Sequence, residues 1–325
     1  LSPCGEPPEG RRAGSGPRTA GRPDGVNRTV ERAAPARGGA SAVAGRPQRS
    51  RVARAFLRNR LGVAGGAALL ACLGSALFAP HLAPYDPYRL DLAHAFQAPS
   101  WRHLLGTDNF GRDVLSRLIY GSRISLLVGV VVVAFAGSVG TALGLLAGYL
   151  GGWLDLAVMR VVEICFAFPF LVLVIAIIAV LGPNIVNVVW VLGLVNWPFY
   201  ARLVRSHVLA LRRREYVEVA RALGARDARI MLRHILPNSL TPVIVASTFG
   251  VPQAILALAA LGFLGLGAQP PAPEWGAMVS TGREFIFQDP WLITWPGVCI
   301  AIVVLSFNFL GDGMRDALDP RAQRV

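Results

Sequence analysis

Apolar residues in this chain gather in long uncharged blocks separated by short polar stretches. The interval between consecutive charges therefore marks where a helix could cross a bilayer, which takes about 20 mainly apolar residues. Six spans are predicted, at 61–80, 124–150, 160–181, 185–203, 240–267 and 290–311. The second lies between Arg123 and Asp155, an interval with no charge at all. The third and fourth share the uncharged interval Ile164 to Ala201, in which Gly182, Pro183 and Asn184 predict a tight turn and hence a helical hairpin. Pro242, Gly250 and Pro252 predict kinks in the fifth, to be accommodated by neighbouring helices. The first span comes directly after a basic stretch, but its apolar run exceeds the roughly 7 to 15 residues of a signal-peptide core, so it reads as an uncleaved anchor.

The connections differ in character. Residues 1–48 are rich in Arg, Gly, Pro and Ala without apolar periodicity and are predicted to be a disordered tail, with a basic pre-membrane segment at 49–60. Residues 81–123 carry Pro84, Pro87, Pro99 and mixed charges, which predicts an ordered loop followed by a short helix. Segments 204–239, 268–289 and 312–325 complete the chain. If the termini lie in the cytoplasm, that side holds 26 Arg and the other six. Basic loops are retained on the cytoplasmic side, so both ends are expected inside.

Composition agrees with a membrane class, at 54% hydrophobic and 16% charged residues, where about 25% charged is ordinary for soluble domains. The net charge of +13 belongs mostly to the tail, since residues 1–60 hold 13 Arg against four acids. Phe56 is the one aromatic residue there, which leaves no base-stacking platform and excludes nucleic acid as the expected partner. All 32 basic residues are Arg. Without lysine there is neither a P-loop lysine nor a Schiff base, so nucleotide hydrolysis by the usual P-loop route must come from another chain. Cys4, Cys72, Cys165 and Cys299 have no pairing or zinc spacing, and His81, His94, His103, His207 and His234 are scattered, so no metal, cofactor or catalytic residue is expected. The ionisable Glu163 and Asp312 sit near predicted span ends, where interfacial pairing competes with a functional role.

Three polar stretches are more specific. One runs from His103 to Arg123 and contains Gly106, Thr107, Asp108, Gly111, Arg112 and Asp113. A second comprises Glu215 to Ala225 with Glu215, Glu218, Ala220 and Gly224, followed by Leu236-Pro237 twelve residues after Gly224. The third pairs Phe263-Leu-Gly-Leu-Gly267 with Asn308 to Pro320, including Asn308, Gly311, Asp312 and Arg315. Together they resemble the permease subunits of dipeptide, oligopeptide and nickel ABC importers, the second stretch being similar to the EAA loop of that family. Val219 stands where the motif has its first Ala. Family members often carry an acidic residue where Ala257-Leu258 stands and Ser where Gly262 stands, so polar contributions from those positions are not expected here.

By 3.6-residue periodicity the EAA-like loop can form a helix with Tyr216, Val219, Ala220 and Leu223 on one side and Arg214, Glu218 and Arg221 on the other. Gly224 then breaks it with a sharp turn. The resemblance implies that this knob is a cytoplasmic coupling helix docking on an ATPase. It implies an all-α, six-span inner-membrane permease of a prokaryote, working with a second homologous permease, two ABC ATPases that bind ATP and Mg, and an external solute-binding protein. Dipeptides or oligopeptides are the expected solutes, with nickel complexes or glycans as alternatives within the family. Two rival classes remain at this point: a proton-coupled secondary transporter and an intramembrane enzyme. Both require ionisable groups deep in the spans, which are almost absent.

Overall fold

The computed structural model describes residues 56–318 apart from residue 58; the predicted tail at 1–48 and most of the basic segment 49–60 lie outside the described residues. Among the described residues no strand forms, and Thr107 and Asp113 make an isolated antiparallel bridge. The principal helices are α1 (Arg60–Leu77), α2 (Ala79–Leu82), α3 (Val114–Leu150), α4 (Gly152–Ala167), α5 (Phe170–Leu181) and α6 (Ile185–Leu211). After these come α7 (Glu215–Ala222), α8 (Asp227–Ile230), a π-helical segment (Met231–Ile235), α9 (Leu236–Phe263), α10 (Trp275–Gly282) and α11 (Trp291–Leu318).

Among the described residues, four helical stretches are long and apolar enough to cross a membrane: α1, α3, the run Asp227–Phe263 that contains α9, and α11. A fifth arises if α4 and α5 count as one broken span. Helix α6, at 27 residues, is about 40 Å long at 1.5 Å per residue but is more polar, carrying Asn187, Asn196, Arg202 and Arg205.

The predicted span 160–181 is not one helix. It bends by 93° between α4 and α5, at Phe168 and Pro169, both with extended ψ angles of 142° and 127°. Proline lacks the amide hydrogen a helix needs and pushes the preceding residue out of the α region, which explains the break. Other elements outrun their predicted limits. The helix expected in 81–123 is the first part of α3, whose 37 residues, about 55 Å, exceed the ~30 Å hydrocarbon core. Likewise α11 continues through Gly311 to Leu318, because Gly311 serves close packing rather than helix termination: a Cβ there would meet Thr248 Oγ1 at 2.6 Å.

The core is organised around α3 and α6, the most extensively packed pair. Gly140, Gly144 and Gly148 repeat every four residues on α3, and a Cβ at Gly140 would meet Trp197 O at 2.6 Å while one at Gly148 would meet Val208 Cβ at 3.0 Å. Small residues at this spacing let helix backbones approach, the principal source of helix association where lipid removes the hydrophobic drive. At one end of the bundle, Asn59 before α1 donates to Asp316 near the end of α11 at 3.1 Å, and the Gly62 and Gly313 backbones nearly touch. This is also the end that carries α7; the 81–113 segment and α10 close the other.

Candidate functional site: a knob at one end and a cleft between the helices

At the α7 end, the predicted EAA-like helix forms from Glu215 to Ala222. Its single fully buried side chain is Val217, at 0% exposure. Ile230 and Ile235, in the segments after it, are equally buried. These residues fix the loop to the bundle. The stripe of Tyr216, Val219 and Leu223 points outward instead, with Leu223 81% exposed, and Ala220 is only partly buried. Gly224 has φ +80°, the left-handed conformation that a turn at this point requires, and nothing lies within 4 Å of where its Cβ would stand. Glu215 and Glu218 are exposed, and neither takes part in an ion pair among the described residues. Leu236 and Pro237 stand where the π-helical segment passes into α9, inside the continuous run Asp227–Phe263.

The 106–113 motif is placed at the opposite end, and its side chains turn inward. Asp108 accepts from Phe110 N, Arg112 N and Arg112 Nε at 2.9, 2.9 and 2.7 Å, with Arg117 Nε 3.5 Å away. Asp113 caps α3 by accepting from Ser116 N at 2.8 Å and pairs with His103 Nδ1 at 2.9 Å. Thr107 bridges His94 O and Gln97 N. Thr107, Asp108, Arg112 and Asp113 are all buried. Gly106 and Gly111 take φ of +81° and +73°, and a Cβ on Gly111 would collide with the Asp91 backbone. In the third motif, Gly311 is buried in the bundle and Asn308 is half-buried, whereas Asp312 and Arg315 are exposed at the α7 end.

Between the helices lies a cleft of about 610 Å³. Its walls come from Val132 and Val133 of α3, the Phe166 to Phe170 break, Phe199 and Tyr200 of α6, and α9 from Ala246 to Ala260. Asn196, Tyr200 and Gln253 are its polar lining, and among the described residues no charged side chain lines it. Ala257 is among its walls. The sequence did not single out these residues, because a mixed apolar lining looks the same as core until helices are placed around a void.

Two more groups escaped the sequence. Glu274 is 1% exposed and caps α10 through Gly276 N and Ala277 N, both at 2.8 Å. Burial pushes its carboxyl above the usual range, and the two amide hydrogen bonds oppose that shift. A Glu directly before Trp275-Gly276 is a legible cap signal, but its burial is not. The other is Tyr149, buried at the α7 end of α3.

The model of the binding-protein-dependent transport system inner membrane component family matches residues 140–324, more than half of the chain. The chain belongs to this family. A second match, to the N-terminal TM domain of oligopeptide transport permease C, covers residues 48–99. A dipeptide transport system permease protein, DppC, of Alkalihalophilus pseudofirmus is 48% identical over 81% of this chain and 87% of its own length. A glutathione transport system permease protein, GsiD, of Pectobacterium atrosepticum is 44% identical over 82% and 89%. Among solved structures, a chain of the MetNI methionine ABC transporter, from a study of inward-facing conformations, superposes with a TM-score of 0.52 at 22% identity, covering 62% of this chain and 97% of that one. That likeness concerns the fold. As a member of this permease family, the chain is a multi-pass inner-membrane transport subunit of an ABC importer rather than an enzyme, which sets aside the secondary-transporter and intramembrane-enzyme readings.

Proposed function

We propose that the chain forms half of the translocation pathway of an importer of short peptides, with the cleft facing a second homologous permease. The names of its relatives support the solute class. An uncharged lining with Asn196, Tyr200 and Gln253 supports passage of a peptide backbone by transient hydrogen bonds without a trapping charge. In this reading two ABC ATPases bind ATP and Mg, an external solute-binding protein delivers the solute, and the chain makes six crossings with α6 as the fourth and both termini inside. The Arg asymmetry and the Asn59–Asp316 bond, which joins the start of α1 to the end of α11, support that orientation.

The observation that carries the reading is the α7 knob, whose apolar stripe is exposed although Val217 beneath it is fully buried. A stripe left outward on a firmly seated helix is a surface built for a partner, here a groove of an ATPase. The EAA residues Glu215, Glu218, Ala220 and Gly224 then supply the contact and its shape, with Leu236-Pro237 leading into the next span. Glu218→Ala should reach the membrane at wild-type abundance, while the ATPases co-purify less well and peptide uptake in proteoliposomes falls; one charge-assisted bond is worth about 1.5 to 3 kcal/mol. Full ATPase retention and uptake would remove the docking role. Single-cysteine labelling on a Cys-free background should find Arg283 accessible from outside and Arg213 protected, and the reverse pattern would overturn the orientation.

A further inference from the structure

Helix α3 forms a wall of the cleft, yet it is not continuous in sequence with the α7 knob, which is strung between α6 and α9. Tyr149 joins the two by hydrogen bonds. Tyr149, 5% exposed, donates its hydroxyl hydrogen to Asp227 Oδ1 at 2.5 Å. The Tyr149 hydroxyl oxygen accepts from Arg221 Nη2 at 3.5 Å, and the Tyr149 carbonyl accepts from Arg212 Nη1 at 2.9 Å. Arg221 and Asp227 lie on opposite sides of the Gly224 turn, at the end of α7 and the start of α8. Among the described residues, every hydrogen bond between α3 and the 212–239 segment passes through Tyr149.

The backbone just beyond Tyr149 suits a moving joint. Gly151 and Gly152 have φ of +70° and +62°, and nothing lies within 4 Å of where a Gly152 Cβ would stand. Beyond them Asp155 of α4 makes a bidentate pair with Arg205 of α6. Apolar seating under the knob resists separation but has no directional preference, whereas hydrogen bonds to a charged group hold both distance and direction.

We propose that Tyr149 is the positioning residue that passes displacement of the α7 knob to α3, and so to the cleft wall formed by Val132 and Val133. This rests on the docking reading above. Asp227 serves as the acceptor on the knob side, and the phenol oxygen is the shared atom. A knob cut loose from Tyr149 still binds ATPases but drives α3 poorly, so ATP is spent with less solute moved.

The test uses the complete importer, reconstituted with its partner permease, ATPases and binding protein, and reads solute imported per ATP hydrolysed. Tyr149→Phe keeps the ring and its packing and removes the hydroxyl. It should reach the membrane and retain ATPases as the wild type does, while the import yield per ATP falls at least about fivefold, the low end of ordinary coupling between sites. Asp227→Ala should match it, and Asp227→Asn, which keeps an acceptor oxygen, should stay near the wild type. The double variant Tyr149→Phe/Asp227→Ala should be no worse than Tyr149→Phe alone, since each single change already removes the Tyr149–Asp227 bond. Wild-type yield in Tyr149→Phe, losses that multiply in the double variant, or an Asp227→Asn defect equal to that of Asp227→Ala would overturn the proposal. So would ATPase loss in Tyr149→Phe, which would reduce the residue to shaping the knob. ATPase retention in Glu218→Ala is a separate readout, so failure of docking and failure of the latch are told apart.

Discussion

The chain carries two polar motifs at opposite ends of the same bundle, and they use their side chains in opposite ways. In the 106–113 motif the charged side chains are partnered within the chain: Asp108 serves the Phe110 and Arg112 amides and the Arg112 side chain, and Asp113 serves α3 and His103. In the α7 loop, Glu215 and Glu218 have no ion-pair partner among the described residues, and the apolar stripe lies outside. Burial separates the two cases. A buried charge must be paired within the chain, because leaving it alone costs several kcal/mol, whereas an exposed charge is free to be completed by another molecule. Equally specific sequence motifs thus mark an internal brace at one end and, as proposed above, a docking surface at the other.

The largest expected effect strikes the brace. Asp108→Ala would take from Arg112 and Arg117, both buried, the carboxylate they share, and breaking a buried pair costs about 3 to 5 kcal/mol. Membrane abundance and thermal stability in detergent should drop sharply; wild-type stability would erase the contrast between the ends. Gly224→Val comes next. Open space surrounds the position, so the cost is conformational, about 1 to 3 kcal/mol for a β-branched residue held in the left-handed region. That strain should be confined to the knob, lowering ATPase retention and uptake while the melting transition of the spans stays put; a global loss of stability would mean the turn braces the bundle as well. The smallest stability effect belongs to Leu223→Ser, within about 0.5 kcal/mol because the side chain is exposed. Uptake should nevertheless fall, and a pull-down with the ATPases should show weaker retention. Unchanged retention would place the docking contact elsewhere on the knob.

Much of the helical order was legible from charge spacing, and the Gly182-Pro183-Asn184 turn appears between α5 and α6 as expected. The positive φ at Gly224 was also readable, since glycine after an amphipathic run signals a turn. Less legible was the break at Phe168-Pro169: uncharged residues continue through it, and the apolar run masks a proline whose consequence depends on whether neighbours restore the helix. Helix ends were misplaced for a related reason. Arg117, Arg123, Arg202 and Arg205 mark limits of apolarity, but helices run past such limits wherever other groups or water satisfy the side chains.

The class of the molecule is written in its residues alone: an all-helical membrane chain, basic chiefly in its tail, lacking a P-loop lysine, and bearing a loop with Glu218 and Gly224 at a fixed spacing. Those properties are local or additive, and composition and periodicity carry them directly. Three-dimensional packing was needed to show which motif residues turn inward, where Glu274 is buried, how Gly140, Gly144 and Gly148 bring α3 against α6, and that Tyr149 meets Asp227 across 78 positions of chain. Burial and partnership are properties of pairs of elements, set by how close two helices approach, and no residue's own chemistry contains that distance.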